Sequence, residues 1–426
     1  MKVLKLGFDV ALAPCDVRSA KGLLSFDVKA NHCIFVKTNT IVSKTMKGAT
    51  KKLSILESTL TPITLENVYR FSQSIIDARH DHPAKKVVVC SGADPEILTR
   101  CTLMLGGFLI LYHNVEMMNL EDIFAPILTT LMPLHGSSDS EDFITVMDCW
   151  RALRRASTLK WIEFSNGNAD YEHFIDMQEY LHYDSPANGS MHVVVPGRLL
   201  VFPCPADLPN DSLWADSADG RHFSAAYFAD IFGDFDVHMV VRCGGNEYAT
   251  TAFEKCDMGI ENLLLDFGSG DDSDAAKPNT QGAGMLRAVD RFLTLMRLSP
   301  GAVAVHGGGP DGSLGAGGRL LVEAYLIRRY GFSGAEAVAW VLMVHPGAAA
   351  RAASMITIED GADWTKRSRS ASATGGLAAA AYADECRHSV PDLLGLGPGS
   401  TAGATEGRVQ AGHQGWFRSL SLTDLA

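Results

Sequence analysis

The sequence predicts an α/β protein made of two tandem domains, each a central, mainly parallel sheet flanked by helices, with a helical linker between them. Three observations carry this. At 426 residues the chain is longer than one core ordinarily serves, so two globular domains and a tail follow from length. An apolar run, a turn of small residues and a long apolar segment occur twice in that order. A second helix is then signalled after each copy by a capping pattern.

In chain order, residues 85–89 are a buried strand, Cys90-Ser-Gly-Ala-Asp94 a turn, and residues 95–112 an apolar helix, with Asn119 and Asp122 marking the start of the next helix. Residues 161–192 carry Tyr171, Tyr180, Tyr183, Pro186 and Asn188-Gly189, which predicts a helical linker ending in a turn. The second domain begins at 193. In it, residues 302–305 are a strand, 306–318 a glycine-rich loop and 319–330 a helix, and Ser333 with Glu336 opens the last helix. A strand followed by a crossover helix implies parallel pairing, with ligand-binding loops at the carboxyl ends of the strands. The tail from 366 to 426 is rich in Ser, Ala and Gly and is expected to be flexible; its Lys366-Arg-Ser-Arg-Ser370 is a weak phosphorylation or nuclear-import signal.

Composition narrows the function. Hydrophobic residues at 46% and charged residues at 20% are globular values. A net charge of -12 argues against nucleic acid as a partner, since phosphate grip takes clustered Lys and Arg. No membrane partner is expected either: the strongest apolar run, 103–111, falls short of the roughly 20 residues that span a bilayer, and Asp9 interrupts the only leader-like stretch. Nine cysteines without paired spacings fit reduced thiols in the cytoplasm or nucleus, and no metal or cofactor is implied.

Several blocks together resemble one family. These are Glu179-Tyr-Leu-His-Tyr-Asp184, Asn188-Gly189 and Val194-Val-Pro-Gly-Arg198, then Val240-Val-Arg242 leading to Tyr248 and Phe253, and Ala302-Val-Ala-Val-His306 followed by Tyr325, Phe332, Ala335-Glu336, Ala339-Trp340 and Pro346-Gly347. Over roughly the first 350 residues the order is similar to that of the mitotic-exit dual-specificity phosphatases of the cell-division-cycle-fourteen type, in the cysteine-dependent tyrosine phosphatase superfamily. The resemblance implies two tandem dual-specificity-phosphatase-like domains, at 1–160 and 193–365, with the active site in the second and a substrate groove at their junction. It also implies phosphoprotein substrates and covalent chemistry. A thiolate attacks phosphorus, backbone amides and an arginine hold the oxygens, and an aspartic acid protonates the leaving group.

That chemistry is missing from the loop. The family pattern is His-Cys, five residues, Arg, at the N-terminus of a helix. Here the candidate phosphate loop comprises His306, Gly307, Gly308, Gly309, Gly312, Ser313, Gly315 and Gly317, with Gly307 at the nucleophile position. Counting forward, Ser313 falls at the arginine position; counting back from Tyr325, Gly317 does. Asp311 adds negative charge, and Arg319 is expected on the helix surface in a structural role. The acid loop offers Asp266, Asp271 or no equivalent, and the water-positioning glutamine loop reads Ala348-Ala-Ala-Arg-Ala-Ala-Ser354.

Other readings are weaker. Cys149 and Arg155 match a Cys-x5-Arg pattern, but the segment has helical spacing and no glycine; Cys90, at the strand end, has no arginine six residues on. Gly307-x-Gly309-x-x-Gly312 fits a dinucleotide fingerprint without its acidic partner, and Gly317-Gly-Arg319 lacks the lysine of a triphosphate loop. The expected function is therefore a pseudophosphatase scaffold that binds protein partners, phosphoproteins among them. Two alternatives stay open: a dual-specificity phosphatase working through an unrecognised nucleophile such as Ser313, and a phosphopeptide reader.

Overall fold

Two separate sheets organise the computed structural model, which describes residues 3–14, 33–37, 63–92, 94–134, 143–165, 173–218, 220–244, 248–263, 278–308 and 314–345. The first sheet contains β1 (Leu4–Gly7), β2 (Val10–Ala13), β3 (Cys33–Lys37) and β4 (Lys86–Cys90) in the order β1-β2-β4-β3. β4 runs parallel to β2 and β3, and only β1 is antiparallel. The uninterrupted Val87-Val-Val89 suits this place: all three are buried, as a parallel strand covered on both faces requires.

Around this sheet lie α1 (Leu65–Asp81), α2 (Pro95–His113), α3 (Met117–Leu128) and α4 (Val146–Thr158). Asp94 caps α2, its carboxylate accepting from the Glu96 and Ile97 amides at 2.8 and 3.3 Å, and Pro95 takes the first turn, where its missing amide proton costs nothing. By length and composition α2 could cross a membrane, a stretch longer than the 103–111 run suggests, but it is a buried core helix. It approaches α4 closely. A Cβ on Gly106 would lie 2.1 Å from the Trp150 ring, whose Nε1–H donates to the Leu103 carbonyl at 3.1 Å.

Asn119 is not a cap. α3 starts two residues upstream, after Glu116, which makes no side-chain cap bond. The earlier start continues the helical repeat that buries Leu120, Phe124 and Ile127 on one face, and this burial outweighs one capping bond. Capping boxes instead occur at Thr64 with Asn67 and Thr145 with Asp148.

In the segment taken as linker, α5 (Met177–Tyr183) is followed by turns before the second sheet. That sheet contains β5 (His192–Val195), β6 (Leu199–Val201), β9 (Val237–Arg242), β10 (Gly259–Asn262) and β11 (Ala302–His306) in the order β10-β9-β11-β6-β5, with β7 (Trp214–Ser217) and β8 (Gly220–Phe223) forming a separate hairpin. β6, β11, β9 and β10 are parallel; β5 is antiparallel at the edge. β11 is central and buried at every position. Its helices are α6 (Ala225–Asp234), α7 (Thr251–Lys255), α8 (Pro278–Leu298), α9 (Gly315–Tyr330) and α10 (Gly334–Val344).

One face of this sheet packs on an aromatic cluster of Phe202, Phe228, Phe232 and Phe253. The other shares a continuous core with the first sheet's helices. Trp161, Phe332 and Trp340 meet there, the Trp340 Nε1–H donates to the Val194 carbonyl at 3.0 Å, and Arg155 of α4 pairs with Glu336 of α10 at 3.1 Å. Glu336 also completes the expected capping box with Ser333. Both sheets thus fall in one compact unit, Met1–Ala373. The tail predicted for 366–426 lies outside the described residues.

Candidate functional site

The carboxyl end of β11 delivers His306 to the mouth of the second sheet, beside Arg242 at the end of the neighbouring β9. The His306 ring is fully buried and touches Phe202 edge-on. Its Nδ1 lies 3.1 Å from the Gly307 carbonyl and its Nε2 2.9 Å from the Tyr248 hydroxyl. A carbonyl only accepts, so Nδ1 carries the proton and Nε2 accepts from the Tyr248 O–H. Burial, with the Arg242 charge adding to it against the opposing Gly307 bond, lowers the His306 pKa to about 4 and keeps the ring neutral. Arg242 stacks over the Tyr248 ring at 4.7 Å.

At Gly307, which the sequence reading put at the nucleophile position, the space for a side chain is filled. A Cβ there would lie 2.2 Å from both the carbonyl carbon and oxygen of Leu314, and 2.6 Å from its Cα. These are backbone atoms, so no rotamer change relieves the overlap. Leu314 itself is buried and precedes α9 without a side-chain cap bond.

α9 begins at Gly315, four residues before the expected Arg319, so the loop is shorter than predicted. Glycines lower helix propensity by about 1 kcal/mol each relative to Ala. Close approach offsets that here: a Cβ on Gly318 would already lie 3.3 Å from Cys243 Cβ and from Leu314 side-chain atoms. Gly315 uses a φ of +63°, which favours glycine.

Arg319 is on the helix, as expected, but not on its surface. Its side chain is 11% exposed and its Nε lies 3.2 Å from Glu323 Oε1 one turn on. Burial raises Glu323 to about 7, against the pull of Arg319. This guanidinium therefore has a carboxylate at ion-pair distance on its own helix.

Of the candidate loop residues, His306, Gly307, Gly308, Gly315 and Gly317 are described and lie on the β11 to α9 connection; Gly309, Gly312 and Ser313 lie outside the described residues, as do Asp266, Asp271, Asp311 and 348–354. Sequence reasoning did not single out Cys243 or Leu314, and took Arg242 and Tyr248 only as resemblance. Cys243 is the thiol next to Gly318, and burial pushes it up to about 12, so it is no thiolate at neutral pH. Cys149 is raised by burial as well, while Arg155 is held by Glu336 and packs over Phe332 at 5.6 Å. That pair is structural. Among the described residues, no group of three or more His, Cys, Asp or Glu could hold a metal ion.

No family profile matches the chain. Curated relatives do. The human dual specificity protein phosphatase CDC14C is 26% identical over 297 residues, covering 67% of this chain and 58% of the relative. Mouse CDC14A is 26% identical over 294 residues, covering 67% and 43%, and the Caenorhabditis elegans tyrosine-protein phosphatase cdc-14 is 22% identical over 299 residues, covering 67% and 38%. The chain thus spans about half the length of the curated relatives it matches. A Leishmania major chain described as a protein tyrosine phosphatase aligns with 34% of this chain at 15% identity and a TM-score of 0.22, too low to bear on the fold. The chain is a divergent homologue of the CDC14 dual-specificity protein phosphatases.

Proposed function

We propose that this protein is a pseudophosphatase: a scaffold of two tandem phosphatase-like domains, at 1–160 and 193–365 around a linker at 161–192, that binds protein partners without transferring phosphoryl groups. The observation that carries the reading is the pairing of Gly307, at the thiol position, with the Leu314 backbone 2.2 Å from where a Cβ would sit. A nucleophile is absent from that position, and the room one would need is taken up. The other parts support this. His306 is locked neutral between Gly307 and Tyr248, Cys243 is a protonated thiol, and Arg319 is engaged by Glu323. Relatives named protein phosphatases make phosphoproteins the class from which a partner would come. Nine cysteines without paired spacings support a reducing compartment, cytoplasm or nucleus.

The test is turnover of an aryl phosphate and of phosphoserine-proline peptides by the purified full chain. Rates equal to the buffer blank are expected. Turnover that disappears in Ser313→Ala would overturn the proposal and favour a serine nucleophile. A second reading, phosphopeptide binding without hydrolysis, is favoured by the α9 N-terminus, where Leu314 supplies no side-chain acceptor for the first amides. Calorimetry separates it: a reader binds the phosphorylated peptide more tightly than its unphosphorylated form, and equal affinities exclude it.

A further inference from the structure

Away from the glycine loop, a pocket of about 280 Å³ opens where the end of α1, the β1–β2 turn, the approach to β4 and the last turn of α2 meet. Arg79 and His80 come to its wall from α1, Lys85 from the approach to β4, Asp9 from the turn and Tyr112 from α2. Arg79 and Lys85 thus reach one small space from two different elements. Among the described residues neither forms an ion pair or a side-chain hydrogen bond, and Asp9 on the same wall pairs with neither. His80 has Asp81 beside it, Nδ1 to Oδ1 at 3.8 Å. Two cations gathered without a counter-ion repel each other, and a shared oxyanion removes that repulsion. The last carbonyls of α1 disfavour an anion, and Arg79 stands in that turn to offset them; Lys85, outside the helix, is not needed for this.

The turn that supplies Asp9 is itself costly. Phe8 and Asp9 fill both central positions of a two-residue hairpin with φ of 50° and 57°, a place that suits Asn-Gly and not a bulky Phe. What the conformation achieves is placement, as strained backbone at ligand sites does. Asp9 lines the pocket, and Phe8 stacks on His113 with ring centroids 3.8 Å apart. His113 adjoins Tyr112, and its Nε2 is buried without a hydrogen-bond partner. Burial, with the Arg79 charge adding to it, lowers His113 to about 4, so the field of Arg79 reaches this ring.

We propose that this pocket binds a small phosphate monoester, its phosphoryl oxygens held by Arg79 and Lys85 and a hydroxyl of its carbon skeleton donating to Asp9. Phosphate suits two cations that arrive from different elements, because its oxygens point in several directions whereas those of a carboxylate share one plane. Asp9 repels a bare anion and favours one that also carries a donor. Ile76 and Tyr112 give the carbon skeleton an apolar wall. The site is independent of whether the glycine loop is catalytic.

Calorimetry on the full chain with glycerol phosphate and with inorganic phosphate tests this. Glycerol phosphate is expected to bind more tightly than inorganic phosphate. Arg79→Gln and Lys85→Gln should each weaken glycerol phosphate by about tenfold or more, as the loss of a charge-assisted hydrogen bond does. Arg79 is half-buried and Lys85 exposed, so both variants should unfold at close to the wild-type temperature. Equal affinity for the two ligands overturns the assignment to a monoester. No binding of glycerol phosphate at millimolar concentration, or an affinity unchanged in either variant, overturns the pocket. Should a variant fail to fold, the His113 ring of the wild-type chain decides, followed by NMR with and without saturating glycerol phosphate. A dianion on Arg79 offsets the charge that lowers His113, so the ring should titrate at higher pH when the ligand is bound, and an unchanged titration overturns the site.

Discussion

The two places where a central strand hands over to a buried helix make opposite choices. In the first sheet, β4 ends at Cys90, and the turn brings Asp94 onto the α2 N-terminus, where its carboxylate accepts two amides. The helix carries its own anion. In the second sheet, β11 ends at His306, and the chain reaches α9 through Leu314, which offers no side-chain acceptor. There the buried apolar Leu314 backbone closes on Gly307. The comparison teaches that a helix entered from a strand end can be closed in two ways, by a carboxylate that accepts its first amides or by main chain packed tightly against the strand's last residues.

The largest expected effect belongs to the His306 end. A histidine whose folded pKa is lowered to about 4 stabilises the fold above its unfolded value of about 6.5, and the contribution is lost as pH falls from there toward 4. Full loss amounts to about 3 kcal/mol. Urea unfolding at pH 7.5 and pH 4.5 should show this decline, and His306→Gln should flatten it by one proton. An unchanged slope in the variant would remove His306 from the account. The β4 end has a cysteine in the corresponding place and should add no such slope.

Next is the attempt to rebuild the nucleophile. Gly307→Cys is expected to destabilise by about 2 to 3 kcal/mol, the upper part of the overpacking range, because the overlapped atoms are main chain. Adding Leu314→Ala should not rescue it, since that substitution leaves the Leu314 backbone in place. Aryl phosphate turnover should stay at the blank in both variants. A stable, active Gly307→Cys chain would show that the loop opens and that the second strand end differs from a phosphatase site by one side chain.

How far the sequence reveals these ends depends on what each rests on. β4, α2 and β11 were legible because Val-Val-Val and Ala-Val-Ala-Val are strand-forming runs and Asp94-Pro95 is a helix start written in local chemistry. The glycine that follows His306 is legible at once, since it needs only the next residue. The filling by Leu314 was not, because it is a contact between backbone atoms seven residues apart. The start of α9 was hidden for a related reason: glycine propensity argues for loop, and only packing on Cys243 overrides it. Arg319 was misread as a surface residue although Glu323 stands at the i+4 position that binds it; what that spacing could not tell was that the helix face is covered. The shared core around Trp161 and Trp340 pairs residues far apart in sequence, which periodicity cannot do.

The smallest effect sharpens the contrast at the other end. Asp94→Ala removes the acceptor for the Glu96 and Ile97 amides and should cost about 1 kcal/mol, the usual value of a lost N-cap, since the groups are exposed and water replaces part of the bonding. Thermal unfolding of Asp94→Asn beside Asp94→Ala tests the cause. An amide oxygen can still accept from the two amides, so Asn should keep most of the stability that Ala loses. Equal losses in the two variants would mean that Asp94 does not act as the acceptor for the first amides of α2, and the two strand ends would then differ in packing alone.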